Sequence, residues 1–162
     1  MAARWLSASG QSTVDLDVTL FVELNELHRA TAILLESGCD LDPEAACWQA
    51  RDRGTFRVRH SGIPIDVFVP DIPLYAAARK RRRKVELEGR SLWIWAPEDL
   101  ILFKLLYFRR KDEADVEAIL SIQGQSVERD YVRGWLIDMV GEGDPRVTFW
   151  DALLREIEGQ GM

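Results

Sequence analysis

Apolar and polar residues alternate with a period of two near the start of the chain, which is typical of a β-strand with one apolar face. In residues 12–18, Asp15 and Asp17 alternate with aliphatic residues. The two aspartates are therefore predicted to share one face of a strand, which continues to residue 22. Further strands are predicted over residues 55–59, 63–69, 85–87 and 91–95, with hairpin turns around His60-Ser61-Gly62 and Glu88-Gly89-Arg90.

Apolar residues at helical spacing occupy the gaps between these strands. A first helix is predicted from an N-cap at Asn25 to Gly38, and a second opens at Asp42, whose side chain can cap the following turn. A third helix is predicted over residues 74–84. These segments together predict a small mixed β-sheet with flanking helices.

From residue 96 onwards the pattern is helical throughout. Pro97 suits the first position of a helix, and Glu98 and Asp99 complement the helix dipole at its N-terminus. Three more helices are predicted to begin near Asp112, Ser126 and Asp144. The fold class predicted is therefore α+β, with an α/β core over residues 1–95 and a C-terminal helical region over 96–162 packed on it.

Size and composition describe an ordinary globular protein. The chain has 162 residues, 47% of them hydrophobic and 30% charged, and no apolar run approaches the roughly 20 residues needed to span a bilayer. Its start lacks the apolar region of a secretory signal. Two cysteines without a Cys-x-x-Cys pair and two histidines argue against a zinc site and a disulfide framework. We therefore expect no membrane association and a cytoplasmic location.

The charge is unevenly distributed along the chain. A net charge of −6 argues against nucleic acid coating the whole surface. A basic run nevertheless stands out, comprising Arg79, Lys80, Arg81, Arg82, Arg83 and Lys84. This run is either a solvated helix end or a patch for the phosphates of a nucleotide or RNA.

Three strand-borne aspartates form the candidate chemical site. Asp15 and Asp17 on one strand face repel each other, and Asp66 is the single acidic residue in an apolar strand. A divalent cation removes this cost, because Mg²⁺ is held through one or two carboxylates together with substrate phosphates. The alternative is that Asp15 and Asp17 belong to a solvated strand edge or turn.

Three segments together resemble the nucleotidyltransferase-like superfamily, which has the polymerase-beta-type fold, and within it the AbiEii-type toxin group and its uncharacterised bacterial relatives. The segments are Ser12-Thr13-Val14-Asp15-Leu16-Asp17-Val18, Ile65-Asp66-Val67-Phe68, and residues 96–105 with their continuation over 109–120. The resemblance covers most of the chain to about Leu120.

The resemblance implies roles for individual residues. Asp15, Asp17 and Asp66 would be the catalytic residues and would bind Mg²⁺ or Mn²⁺, and Asp66 would also help to activate the acceptor hydroxyl. Substrate contacts would come from Ser12, Lys104, Lys111 and Asp112, with Asp115 near the cleft. For three of these residues a structural role is the alternative: Lys104 as a lysine extended along an apolar helix, Asp112 as an N-cap, and Asp115 as an exposed acid.

One element of the superfamily pattern is absent. A Gly-Gly or Gly-Ser pair at a helix N-terminus precedes the two aspartates in the superfamily and receives the triphosphate, whereas residues 1–6 occupy that place here. Either the true start lies upstream, or this is a shortened member of the superfamily.

Three functions are compatible with this pattern. The first is metal-dependent transfer of a nucleotidyl group from a nucleoside triphosphate to an RNA (tRNA) or protein hydroxyl, with RNA held by the basic run and a cognate antitoxin as a further partner. The second is a non-catalytic or degenerate binding module that lacks the glycine turn. The third is modification of a small molecule, such as antibiotic nucleotidylation, for which the basic run would have no use.

Overall fold

The computed structural model describes residues 16–160, with only the backbone described for Gln160. Ser12, Asp15 and the first part of the predicted strand over 12–18 lie outside the described residues. The chain forms two compact units. Of the described residues, one unit contains residues 16–77 together with Arg83–Ile94, and the other contains Ala78–Arg82 together with residues 95–160.

A four-stranded mixed sheet forms the centre of the first unit, as the predicted α+β class requires. Its strands are β1 (Leu16–Thr19), β2 (Cys39–Asp40), β3 (Thr55–His60) and β4 (Ile63–Phe68), in the spatial order β1-β4-β3-β2. β1 is parallel to β4, and the other two pairings are antiparallel. The sequence pattern did not indicate β2, which is only two residues long.

The predicted hairpin at Ser61 and Gly62 is confirmed. These two residues have φ values of 51° and 80°, and a two-residue turn with both φ values positive matches the twist of the strands that it joins. The turn places His60 opposite Ile63, and the pairing continues back to Arg57 opposite Asp66.

The first strand ends earlier than predicted. β1 ends at Thr19, and the backbone N–H of Val22 donates a hydrogen bond to the carbonyl of Leu20, 3.0 Å away. This tight turn takes the chain away from the strand direction, so the prediction of a strand to residue 22 is wrong.

Two helices follow β1 in the same unit: α1 (Leu27–Glu36) and α2 (Pro43–Arg53). The predicted cap at Asp42 is confirmed, because its carboxylate accepts hydrogen bonds from the backbone N–H groups of Glu44 and Ala45. The predicted cap at Asn25 is wrong. A 3₁₀ turn over Leu24–Glu26 precedes α1, and the extended backbone typical of an N-cap occurs at Glu23 instead.

The core of this unit lies on one face of the sheet. Alternate residues of β3 and β4, namely Phe56, Val58 and Val67, are each 2% exposed and belong to one cluster with residues of α1 and α2, among them Leu27 and Cys47. Because side chains alternate along a strand, Arg57 and Asp66 lie on the opposite, polar face. The apolar pattern of β3 and β4 therefore determines which face of the sheet carries the charged residues.

The basic run is divided between a helix and a strand. α3 covers Pro73–Arg81, and a separate two-stranded sheet consists of β5 (Arg83–Leu87) and β6 (Arg90–Ile94). The predicted hairpin at Glu88 and Gly89 is confirmed, with φ values of 49° and 74°. The predicted helix to residue 84 is wrong, because pairing of Arg83 with Ile94 extends the hairpin two residues further than the apolar pattern indicated.

The second unit is helical. Its helices are α4 (Pro97–Tyr107), α5 (Arg110–Gln123), α6 (Arg129–Val140) and α7 (Pro145–Gln160). α6 begins three residues after the predicted Ser126, whose hydroxyl donates to the carbonyl of Gln123 instead of capping the helix. None of the helices within residues 16–160 is both long enough and apolar enough to cross a membrane.

Candidate functional site

Two of the three predicted metal ligands lie side by side on the polar face of the four-stranded sheet. Asp17 in β1 is the register partner of Asp66 in β4. Partners on neighbouring parallel strands point to the same side of a sheet, and the strands are about 4.8 Å apart. Asp17 is exposed, and the side chain of Asp66 is 26% exposed. Asp15, the third predicted ligand, lies outside the described residues.

Arg57 completes a row of charges across three strands. The register partners of Asp66 are Asp17 on the β1 side and Arg57 on the β3 side. The Arg57 guanidinium binds both carboxylate oxygens of Asp66: Nε lies 2.6 Å from Oδ1, and Nη2 lies 2.7 Å from Oδ2. This bidentate geometry is the strongest that an arginine forms with a carboxylate.

The row contains two carboxylates, those of Asp17 and Asp66, and the guanidinium of Arg57. Carboxylate oxygens are the donors that Mg²⁺ and Mn²⁺ prefer. Within residues 16–160, no group of three or more His, Cys, Asp and Glu side chains could hold a metal ion. A site with three carboxylates would therefore need Asp15, and the predicted trio stays a prediction.

The other predicted substrate residues that the structure describes belong to the helical unit. Lys104 of α4 forms ion pairs with two acids of α5: its Nζ lies 2.6 Å from Oδ2 of Asp115 and 3.6 Å from Oδ1 of Asp112. Lys111 is exposed in the first turn of α5. Lys104 and Asp112 are thus brought together, in an arrangement that also joins α4 to α5.

Asp112 is buried, and it caps α5 from the third helical position. Its carboxylate accepts hydrogen bonds from the backbone N–H of Arg109, at 3.1 Å, and from the Arg109 side chain, at 2.6 and 3.2 Å. Burial alone would raise the pKa of Asp112, but the hydrogen bonds and charge of Arg109, with the charge of Lys104, outweigh it and lower the pKa. Asp112 is therefore held as a carboxylate.

A buried ionic cluster around Arg81 in the helical unit was not expected from the sequence. Nη2 of Arg81 lies 3.1 Å from a carboxylate oxygen of Glu98 and 3.1 Å from one of Glu128, and Nε lies 3.5 Å from Asp99. The guanidinium also stacks on the ring of Tyr131, 4.1 Å from its centroid. We call these five residues the Arg81 cluster.

Two acids of the Arg81 cluster are deeply buried at the start of α4. Glu98 is 1% exposed and Asp99 is not exposed at all. Burial raises the pKa of Asp99, although a 2.8 Å hydrogen bond from the Tyr131 hydroxyl and the charge of Arg81 oppose the increase. The sequence-based role of these acids, which was to complement the helix dipole, therefore describes only part of what they do.

The predicted phosphate patch is not a row of six equivalent cations. Arg79 and Lys80 are exposed near the end of α3, and Arg83 and Lys84 are exposed in β5. Arg81 is 26% exposed and is engaged by the acids of the Arg81 cluster. The exposed residues of the run are therefore Arg79, Lys80, Arg83 and Lys84.

No protein-family model matches the chain, and no curated protein matches it either. Function has to be inferred from the residues and their geometry.

Proposed function

We propose that this chain is a metal-dependent nucleotidyltransferase-like protein. It would move a nucleotidyl group from a nucleoside triphosphate to a hydroxyl of RNA, with tRNA as the candidate acceptor, or to a hydroxyl of protein. This is the activity that the resemblance to the AbiEii-type toxin group implies, and a toxin role with a cognate antitoxin follows from the same resemblance.

The observation that carries the proposal is the register of β1 and β4. Asp17 and Asp66 are 49 residues apart in sequence and yet are direct neighbours on one sheet face. Like charges at this separation are unfavourable unless a cation offsets them. A pair of carboxylates on adjacent parallel strands is an arrangement that in-line phosphoryl chemistry can use, because it needs no cysteine or histidine nucleophile.

Asp17 and Asp66 supply the kind of oxygen donor that a hard divalent cation prefers. The donors are carboxylate oxygens, and the Arg57 guanidinium already supplies positive charge to one of them. Asp17 and Asp66, together with Asp15, would hold Mg²⁺ or Mn²⁺, which when bound neutralises charge on the phosphate oxygens of the substrate. Asp66 is also the carboxylate that we assign to the acceptor hydroxyl.

RNA is the acceptor that would use the exposed part of the basic run. Arg83 and Lys84 lie on β5 in the same unit as Asp17 and Asp66. Their charges would attract a phosphate backbone, in contrast to the chain as a whole with its net charge of −6. A small-molecule acceptor would not need them.

A second candidate function is supported by a specific contact. Both oxygens of Asp66 accept hydrogen bonds from Arg57, so an internal cation already satisfies one of the predicted ligands. Such a pair suits a non-catalytic or degenerate nucleotidyltransferase-fold module. The metal titration separates the two functions.

Calorimetric titration with Mn²⁺ tests the proposal. The wild-type protein is expected to bind the ion, and Asp17→Asn is expected to bind it at least tenfold more weakly, because one of few carboxylate ligands is lost. Asp40→Asn is the matched control: it removes the same charge from an exposed residue of β2 and is expected to bind as the wild type does.

Transfer itself is measured by incorporation of radiolabelled nucleotides into RNA and protein, with Asp15→Ala as the inactive reference. We expect labelling by the wild-type chain above that of Asp15→Ala, because the variant loses one of the predicted metal ligands. Negligible heats in the titration and labelling equal to that of Asp15→Ala would overturn the enzymatic proposal and leave the binding module.

A further inference from the structure

Asp66 lies between its two register partners. In the strand order β1-β4-β3, Asp17 is on one side of it and Arg57 is on the other. Both oxygens of Asp66 are turned to the β3 side, at 2.6 and 2.7 Å from Arg57. An ion shared by Asp17 and Asp66 requires an Asp66 oxygen on the β1 side.

We propose that Arg57 competes with the metal ion for Asp66 and thereby sets the metal affinity of the site. This inference rests on the proposed function, because it assumes that Asp17 and Asp66 bind a cation. Arg57 is a positioning residue in this scheme: it holds the Asp66 carboxylate towards β3 when the ion is absent and releases at least one oxygen when the ion binds.

The exposure of the two side chains allows this exchange. Arg57 is 57% exposed and the core residues lie on the opposite face of the sheet, so a movement of its guanidinium away from Asp66 does not require repacking of the core. An ion pair with so much exposure is weakened by solvent screening. The competition should therefore lower the metal affinity without abolishing binding.

The different geometry of arginine and lysine separates this role of Arg57 from a general effect of positive charge on metal binding. An arginine fork occupies both oxygens of a carboxylate at once, whereas a lysine ammonium is a point charge that leaves one oxygen free more readily. Arg59 provides the comparison on the same strand and the same face. Its Nη1 donates to the carbonyl of Gly62 at 3.1 Å, and its register partners are Pro64 on β4 and Asp40 on β2, so it does not face Asp66.

The test is a Mn²⁺ titration of the wild-type protein and three variants, Arg57→Gln, Arg57→Lys and Arg59→Gln, each first shown to unfold cooperatively. We expect Arg57→Gln to bind Mn²⁺ about two- to fivefold more tightly than the wild type, which is the range that an exposed ion pair can contribute. Arg57→Lys should bind with intermediate affinity, although it retains the charge. Arg59→Gln, which loses a charge, should stay close to the wild type.

Each outcome decides the question. If the wild type binds Mn²⁺ and both Arg57 variants match it, the competition is refuted while the metal site stands. If Arg59→Gln strengthens binding as much as Arg57→Gln does, the effect is one of general charge and the inference is also refuted. Absence of binding by all four proteins would refute both the inference and the proposed function. If Arg57→Gln does not fold, the Mn²⁺ affinities of Arg57→Lys and Arg59→Gln are compared with that of the wild type. Tighter binding by Arg57→Lys alone supports the competition, and any other result refutes it.

Discussion

Replacing Arg81 with glutamine should destabilise the helical unit strongly. Arg81 forms ion pairs with two carboxylates that are almost inaccessible to water, those of Glu98 and Asp99. Glutamine retains part of the side-chain length but removes the charge. The variant therefore leaves two buried acids without their counter-ion, which is one of the few changes that cost a protein several kcal/mol.

The expected loss in the free energy of unfolding depends on which hydrogen bonds the carboxylates of Glu98 and Asp99 retain in the variant. Removal of one partner from a buried ion pair costs about 3–5 kcal/mol. Glu98 still accepts a hydrogen bond from the backbone N–H of Glu128 at 3.2 Å, and Asp99 still accepts one from Tyr131 at 2.8 Å. Since these neutral donors remain, we expect the lower end of the range, about 3 kcal/mol at pH 7.

The loss should depend on pH in a defined direction. The pKa of Asp99 is already raised by burial, and Arg81 opposes that increase, so the variant should raise this pKa further. A carboxyl whose folded-state pKa exceeds its unfolded value stabilises the fold at low pH, and this contribution is lost as pH rises through the folded pKa. The difference between wild type and Arg81→Gln should therefore be smallest near pH 4 and grow towards pH 7.

Urea unfolding followed by circular dichroism at pH 4.5, 5.5 and 7 measures this difference. Lys80→Gln is the matched control, because it removes the same charge from the neighbouring, exposed residue of α3. It is expected to change the free energy of unfolding by less than about 0.5 kcal/mol. A loss below about 1 kcal/mol for Arg81→Gln, or a loss that does not vary with pH, would refute the reasoning.

Two further predictions concern other charged residues. Asp112→Asn should lower the free energy of unfolding by about 1 kcal/mol at pH 7, since Arg109 is largely exposed. The pKa of Asp112 is lowered from the ordinary aspartate value of 3.8. The difference between wild type and variant should therefore disappear as the pH falls below 3.8 and Asp112 of the wild type becomes protonated. For RNA, the double variant Arg83→Gln and Lys84→Gln should reduce the slope of log affinity against log salt by about 1.4, at about 0.7 for each phosphate contact. A difference at Asp112 that persists at pH 2, or an unchanged salt slope, would contradict these expectations.

Much of the first unit could be predicted from local pattern. The two hairpins, the cap at Asp42 and the burial of one sheet face all follow from periodicity and turn residues, which act over a few residues. The role of Arg57 was not predicted, although the predicted turn contained the necessary information. A two-residue turn at Ser61 and Gly62 pairs His60 with Ile63. Counting three residues away from the turn on each strand then pairs Arg57 with Asp66.

The acids at the start of α4 show that the helix-dipole interpretation explains only part of their role. Glu98 is spaced four and seven residues from Leu102 and Leu105, both of them buried, so helical periodicity places it on the core face. The dipole argument accounts for an acid in a first turn but does not require a counter-ion. The spacing with Leu102 and Leu105 indicated that one was needed.

The identity of that counter-ion could not be found from the sequence. Arg81 belongs to a run of six basic residues, and its position in that run does not mark it as the one that contacts the acids. Its partners are 17, 18 and 47 residues away, and such pairings depend on how the helices pack, which no local pattern specifies. The pairing of Asp17 with Asp66 was similarly non-local; the sequence suggested it through the cost of like charges on strands and through the resemblance, and neither specified the register.

The two candidate functions differ in what they require of Asp66. A transferase needs an oxygen of Asp66 that is available to a cation, whereas a binding module is best served by a permanent pair with Arg57. The observed geometry, with both oxygens bound to an arginine that is 57% exposed, is consistent with either function at the level of contacts. The strength of the pair therefore decides between them. An exposed pair worth less than about 1 kcal/mol can be displaced by a divalent ion shared with Asp17, and a stronger pair would keep Asp66 from the chemistry.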